Sequence, residues 1–276
     1  MRAGDLTSLQ PVKDWLGISN SANDANLSRL ISSVSATIRS EINRYSLIGQ
    51  TFTEIRDGMG TNSLVLKNWP VNEILSLTIG NSIIRPGNEL EGARSAGWYL
   101  TPYDGFPPGN AQTLELLGYT YYYGKQNVRI TYNAGYVVSD ESFAVPSNPY
   151  VYVVSQSMGS WAADGGIRYA STGNPLVLVT GTPGIGQYAI SPTIIGGYIL
   201  SSDEVGVEML VSYSFTPSDL EGAAIEWVAE RERYRNRIGV RSKSLAGQEH
   251  MSYDLSGVPP FVESVIGKYR SVLTLL

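Results

Sequence analysis

The pattern of apolar and polar positions divides the chain into helical ends and a long middle of alternating residues. Near the N-terminus, Val12, Trp15 and Leu16 form the apolar face of a short helix. Thr7 or Ser8 supplies its cap, Pro11 is tolerated in its first turn, and Gly17 stops it. A longer stripe follows: Leu27, Leu30, Ile31, Val34, Ile38, Ile42 and Tyr45 recur at three- and four-residue steps. This spacing predicts an amphipathic helix with Asp24 as its N-cap. Its opposite face is rich in serine, so packing rather than intrinsic propensity must hold it.

From Gln50 the period changes to two. TFTEIRDGMGTNSLVLK reads as a hairpin turning at Asp57-Gly58, and WPVNEILSLTIG as a strand with Pro70 at its start, where a missing donor does least harm. Residues 84–110 read as loop with a short strand at Trp98–Leu100. YTYYYGKQNVRITYNAGY predicts a second hairpin: Tyr119, Tyr121 and Tyr123 share one face, Val128, Ile130 and Tyr132 another, and Gly124-Lys125 forms the turn. Beyond Pro146–Pro149 the runs YVYVV, PLVLVT, GQYAI, GGYIL and VEMLVSYSF recur between Gly, Pro and Ser, the spacing of a small all-β sandwich or barrel. Arg168 is the one basic residue there. Helix returns at Pro217-Ser218-Asp219, with acids in the first turn. Leu220, Ala224, Trp227, Arg231, Tyr234 and Ile238 make its face and Gly239 closes it. A loop to about Pro260 and a last short helix, FVESVIGKYRSVL, complete the chain.

Composition narrows the function. The chain has 276 residues and a formal net charge of −5. That balance argues against a protein held to nucleic acid by phosphate neutralisation, but it leaves open a wall past which DNA slides, since such a wall should repel rather than grip. Charged residues are 16% of the chain, and tyrosine is plentiful at 18 residues. Either the subunit hides much of its surface against neighbours, or tyrosines line a β-rich core. With no cysteine, no disulfide framework staples the fold. The first residues contain no apolar run of signal-peptide type, and no membrane span is expected.

No motif for catalysis or cofactor binding survives its context. Gly184, Gly186 and Ala189 satisfy a G-x-G-x-x-A spacing, with Asp203 near the ribose-binding offset. A dinucleotide site needs a helix after the glycines, and the segment that follows holds Pro192, a Gly-Gly pair and β-branched residues. Gln187 stands where a phosphate loop needs lysine. His250 is the only histidine; no Gly-x-Ser-x-Gly elbow presents a serine to it, and it reads as solvated in a polar loop. One histidine and no cysteine make no zinc site. Asp57, Asp203 and Glu204 could reach calcium, but no loop alternates acidic ligands. No carboxylate pair of glycosidase type is singled out. Expected cofactors are therefore none, metal ligands none, and the chain is not an enzyme. ERERYRNR reads either as a solvated, salt-bridged helix face or as a contact for a partner. KYRSVLTLL either packs back on the core or anchors another protein.

The order of several segments resembles the head-tail connector (adaptor, or head-completion) proteins of tailed bacteriophages. The segments are LTSLQPVKDWLGI, NDANLSRLISSVSATIRSEINRYS, QTFTEIRDG, LVLKNWPVNEILSLTIG, VRITYNAGY and DLEGAAIEWVAERERYRNRIGVRS. The resemblance covers about Asp5–Tyr136 and Pro217–Leu276; the stretch from about Phe143 to Thr216 departs from it and is similar to small β modules of phage virion proteins. It implies an α+β subunit: a helical bundle from both ends, a β-hairpin layer, and an inserted sandwich-like domain. On that reading residues 1–142 and 217–276 form the connector core and 143–216 the insert.

The resemblance further implies a homo-oligomeric ring, usually dodecameric, in the virion neck, assembled in the host cytoplasm. The ring would dock beneath the portal protein, lengthen the DNA channel without specific DNA binding, and receive the tail or a stopper protein. Tyr269, Arg270, Val272, Leu273 and Leu276 are its candidate portal contacts, and Arg237, Arg241 and Lys243 its candidate subunit contacts. The rival readings are a β-rich module of the virion that binds carbohydrate or a receptor through the insert, and, last, a hydrolase.

Overall fold

The computed structural model describes residues 4–44, 46–90, 93–101, 107–235, 242–245, 249–252 and 258–271. The chain is mixed α+β and mostly β, and it divides into two compact units. One holds the described residues of Met1–Asn43 and Ser218–Val272, the other those of Arg44–Pro217.

The first unit contains α1 (Leu9–Leu16), α2 (Asp24–Ile42), α3 (Ser218–Arg235) and α4 (Pro260–Tyr269). Gly17 ends α1 at φ 67°, the left-handed conformation a side chain resists, and its N–H reaches back to the Asp14 carbonyl. Neither predicted cap acts as one. Ser8 stands at the N-cap without a side-chain bond, and the Thr7 hydroxyl donates instead to Glu221 Oε1 on α3 at 3.1 Å. Asp24 is likewise not the cap of α2; Asn23 is, and the Asp24 carboxylate pairs with the mostly buried Lys13 Nζ at 2.8 Å.

The apolar stripe of α2 is real: Leu27, Ile31, Val34, Ile38 and Ile42 are buried, Leu30 is half-buried, and Tyr45 lies outside the described residues. Ser35 joins the buried face because its Oγ accepts from the Leu6 N–H at 2.9 Å. The face of α3 differs from expectation. Leu220, Ala223, Ala224, Trp227, Val228 and Glu232 are buried, whereas Arg231 and Tyr234 are exposed, and Ile238 lies outside the described residues. Arg231 lies over the Trp227 ring, 5.2 Å from its centroid. Glu232 is tolerated inside because it accepts from Asn26 Nδ2 at 3.1 Å. α3 packs on α1, α2 and α4, and α4 packs on α2. The expected loop after α3 contains a two-stranded antiparallel hairpin, Ser242–Leu245 with Glu249–Ser252.

The second unit begins with β1 (Gln50–Gly58), β2 (Ser63–Val65), β3 (Val71–Ile79), β4 (Ser82–Ile84), β5 (Glu89–Leu90), β6 (Ala93–Arg94), β7 (Gly97–Thr101), β8 (Thr113–Leu117), β9 (Gly124–Ala134) and β10 (Val137–Ala144). It continues with β11 (Val151–Val153), β12 (Gly159–Tyr169), β13 (Val177–Leu178), β14 (Gln187–Ile190), β15 (Gly197–Leu200) and β16 (Glu208–Pro217). Neither long predicted hairpin forms. β1 pairs with β9, not with β2, in the order β1-β9-β3-β4, and β2 joins β8 and β7 in a separate sheet. The tyrosine run before Gly124 is not a strand; Tyr121 alone makes an isolated bridge, to Thr61. In β1 and β9 the alternation holds but the partner differs, because period says which face is buried but not which strand lies alongside; in the tyrosine run the expected shared face fails as well, since Tyr121 is buried and Tyr119 and Tyr123 are exposed.

These two sheets enclose one core. Val128, Ile130, Tyr132 and Ala134 of β9 meet Leu77 and Ile79 of β3 and Leu114 and Leu116 of β8. Glu54 faces inward among them, accepting from the Tyr132 hydroxyl, from Lys67 N–H at 3.0 Å and from Arg56 at 2.9 Å. Burial, then the neighbouring carboxylate, pushes the Tyr132 phenol well above its ordinary range, so it remains a donor. Gly135 has φ 130°, and a Cβ there would lie 2.5 Å from the Ile48 carbonyl, so only glycine fits this crossing.

Residues 137–217 build two further sheets, β10-β16-β12 and β11-β15-β14-β13. Carboxylates of the first are held by tyrosines of the second. Glu141 on β10 accepts from Tyr152 (2.5 Å), from the Ser155 N–H (2.9 Å) and hydroxyl (2.7 Å), and from Tyr213 (3.0 Å). Asp164 on β12 accepts from Tyr188 at 2.6 Å and Tyr198 at 3.1 Å, and Tyr198 in turn accepts from the Trp161 indole at 3.0 Å. Phe143 stacks on Tyr152 at 3.9 Å. The G-x-G-x-x-A segment is a turn into strand β14, with Gly186 at φ 73° and its N–H on Glu204, so no helix follows it to receive a pyrophosphate.

Two outcomes follow. Ile130→Ala removes a fully buried side chain from the centre of a sheet and should cost about 2–5 kcal/mol in denaturant unfolding, whereas Thr131→Ala on the opposite face should stay within about 0.5 kcal/mol. For Glu141, burial acts to raise the carboxyl pKa, but the hydrogen bonds from Tyr152, Ser155 and Tyr213 outweigh it and hold the group below its ordinary value. A lowered folded pKa contributes stability above the unfolded value of about 4.3 and loses it as pH falls through the folded value. The stability difference between wild type and Glu141→Gln should therefore be level near neutral pH and shrink in acid.

Candidate interaction surfaces

The predicted site residues near the C-terminus fall into three groups. Tyr269, the last residue of α4, is fully buried, and its hydroxyl donates to Asp219 in the first turn of α3. Lys268 Nζ lies 3.7 Å from the same carboxylate. Arg270 is exposed and grips the end of α2: its Nε donates to the Glu41 carbonyl and its Nη2 to the Glu41 carboxylate, both at 3.0 Å. Ser271 N–H then donates to the Ile42 carbonyl at 2.8 Å. These bonds use carbonyls that the end of a helix leaves unpaired. Tyr269, Arg270 and Ser271 therefore fix the point at which the chain leaves α4. Val272, Leu273 and Leu276 lie outside the described residues, as do Arg237 and Arg241. Lys243 is on the 242–245 strand, paired with Met251, and its side chain is outside the described residues, as is that of His250 on the partner strand.

Sequence reasoning missed Glu41 and Asp219, the acceptors that hold this exit. Their signal was positional: an acid in the last turn of one helix and in the first turn of another, each facing a cation or phenol far along the chain.

The second unit presents its apolar side chains in separate places. Tyr119, Tyr122 and Tyr123 surround the turn into β9, and Tyr123 is 82% exposed. Across the outer face of the four-stranded sheet, Ile55, Arg129, Thr78 and Ile83 lie in one row, and Ile83 is 74% exposed. Beside that row is an open cleft of about 480 Å³. Leu75, Ile83 and Trp98 line it, with Glu73 and Arg85. One carboxylate in the lining makes no acid/base pair for glycoside hydrolysis, and among the described residues no histidine joins Ser76 in the lining. Among the described residues, no three metal-binding side chains gather. Val177, Leu178, Ile185, Ile194 and Ile195 are exposed in the 173–197 region, where no residue is charged. Such patches are the ordinary signature of protein contact.

No match was found among curated proteins. Similar chains occur in solved structures of gene transfer agent particles. One is from the neck of the empty particle, computed with C6 symmetry, at 17% identity and TM-score 0.40, covering 99% of this chain and 93% of that one. Another is from the neck of the native particle, computed with C12 symmetry, at 16% identity and TM-score 0.40, covering 100% and 95%. A third is from the virion of the native particle, at 15% identity and the same TM-score of 0.40. The family model described as "Head completion protein" matches residues 5–144, from the entry into α1 to the last residue of β10. That match takes in half of the chain, with both N-terminal helices and the whole β1-β9-β3-β4 sheet, and the chain belongs to the head completion protein family.

Proposed function

We propose that this protein is a structural subunit of the virion neck, a head-to-tail connector. Copies close into a ring beneath the portal, twelve by the family resemblance, extending the DNA channel and offering the tail or its stopper protein a docking surface. The four helices act as one bundle, and residues 143–216 are an insert in the connector core. The observation that carries this reading is the head completion match over residues 5–144.

Three features support it. A ring needs complementary patches on opposite sides of each subunit, and the exposed Tyr123, Ile83 and Ile185 offer apolar surface in distinct places. A net charge of −5 suits a channel that passes DNA without gripping it. The bonds of Tyr269, Arg270 and Ser271 fix where the last five residues start, so Val272, Leu273 and Leu276 make the portal contact and Tyr269 and Arg270 aim them. Arg237, Arg241 and Lys243 serve the subunit-subunit contact, and the chemistry is assembly, not catalysis. The carbohydrate-binding alternative has less support, since sugars stack on exposed aromatic rings. In 145–217 the exposed large apolar side chains are all aliphatic, and Tyr188, Tyr198 and Tyr213 are buried.

Truncation separates the roles. A chain ending at Ser271 should keep its unfolding midpoint and lose portal attachment, read by native mass measurement with and without portal. A chain ending at Gly267 should lose both, because it also lacks the Tyr269 and Arg270 bonds. Portal attachment by the Ser271-truncated chain would overturn the assignment of the last five residues. Purified protein that stays monomeric with portal present would overturn the ring.

A further inference from the structure

Arg44 is a buried cation with no ion pair among the described residues. It is 7% exposed. Its Nη1 donates to the Tyr136 hydroxyl at 3.0 Å, and that hydroxyl donates to the Pro108 carbonyl at 2.6 Å. The guanidinium carbon lies 4.4 Å from the Trp69 ring centroid and 5.3 Å from that of Tyr136. Among the described residues its Nε and Nη2 have no hydrogen-bond partner, and neither has the Trp69 indole N–H. The two aromatic contacts offset part of the desolvation cost of the cation. They do not satisfy the N–H groups, and a buried charge left so is strongly destabilising.

The unsatisfied pair is chemically specific. Nε and Nη2 form the side of the guanidinium that presents two parallel N–H groups, the edge that matches the two oxygens of a carboxylate. This chain uses that same edge elsewhere: Arg168 holds Asp140 through Nε at 3.0 Å and Nη2 at 2.7 Å. At Arg44 the guanidinium lies over the Trp69 and Tyr136 rings, and the buried indole N–H of Trp69 is a further donor without an acceptor among the described residues.

We propose that Arg44, with Trp69, is a binding site for one carboxylate group. The carboxylate is gripped side-on by Nε and Nη2 while Tyr136 holds Nη1. Because both nitrogens are closed to solvent, uptake requires local opening and is slow. The carboxylate comes either from a small molecule in solution or from an acidic side chain of a second copy.

The test uses the full chain, wild type and Arg44→Lys, which keeps the charge but cannot present two parallel N–H groups. Thermal unfolding is followed with sodium formate against sodium chloride at matched ionic strength, and separately across a range of protein concentrations. A saturable rise of several degrees with formate, lost in Arg44→Lys, is expected for a small carboxylate. A midpoint that rises with protein concentration in wild type only is expected if a second copy supplies the group. Equal responses in both proteins, or no response to either variable, overturn the proposal. Should Arg44→Lys fail to fold, wild type with nitrogen-labelled arginine decides: the Arg44 Nε–H resonance must move with formate or with protein concentration, and a fixed resonance overturns the site.

Discussion

The packing of α3 and α4 against α2 is the constraint on which the rest depends. Residues 44–217 leave from the end of α2 and return into α3, so the first unit exists only if helices far apart in sequence find one another. Closing so long a loop costs little more than closing a short one, since the entropy grows only with the logarithm of length. The reward is burial of Leu27, Ile31, Val34, Ile38 and Ile42 against Leu220, Ala224, Trp227 and Val228, at about 1.5–3 kcal/mol for each large apolar side chain. Neither half could bury its stripe alone. The polar contacts between the halves, Thr7 with Glu221, Asn26 with Glu232 and Arg270 with Glu41, add register more than energy, because each is at least partly solvated.

Tyrosine explains how a chain with so few charges stays specific inside. Tyr121, Tyr132, Tyr136, Tyr198, Tyr213 and Tyr269 are among its largest fully buried side chains. A buried phenol supplies a large apolar body and one donor that must be placed. Here the donors converge on single carboxylates: Glu54, Glu141, Asp164 and Asp219 each accept from at least one. A carboxylate that faces several donors fixes the register of the strands carrying them. Abundant tyrosine therefore reports on the core first, with Tyr119, Tyr122, Tyr123 and Tyr234 the exposed ones among the described residues.

What was legible in the sequence was local, and what was missed was relational. The α2 stripe, the Gly17 stop and the short strand at Trp98–Leu100 could be read because each depends on side chains within a few residues. The hairpins failed because β1 prefers β9, a strand about seventy residues on, to the neighbour that its turn suggested. Strand β12 passed unnoticed because GSWAADGGIRY lacks alternation. Two irregularities in its pairing with β16, one at Gly165-Gly166, break the period, and Asp164 points inward to tyrosines that only the fold supplies. The face of α3 was drawn through Arg231 and Tyr234, whose helical spacing is right but whose neighbours Val228 and Glu232 take the buried positions. Of the candidate contact residues, the sequence marked Tyr269 and Arg270 but could not show that both are occupied within their own chain.

The boundary of the family match falls within a sheet. The match ends at Ala144, the last residue of β10, yet β10 takes its hydrogen bonds from β16, which lies outside it. β16 in turn carries β12 on its other side and runs on into α3 at Ser218. A strand on which the family segment ends is thus completed by residues that the family model does not describe. An appended module would leave that edge to solvent or to a partner; here β16 covers it, and the chain runs from it back into the helices. An edge strand presents a row of unpaired backbone groups, and in β10 the row is filled from outside the matched segment. The Glu141 bonds to Tyr152, Ser155 and Tyr213 tie the strands beyond the match to β10 by side chains as well.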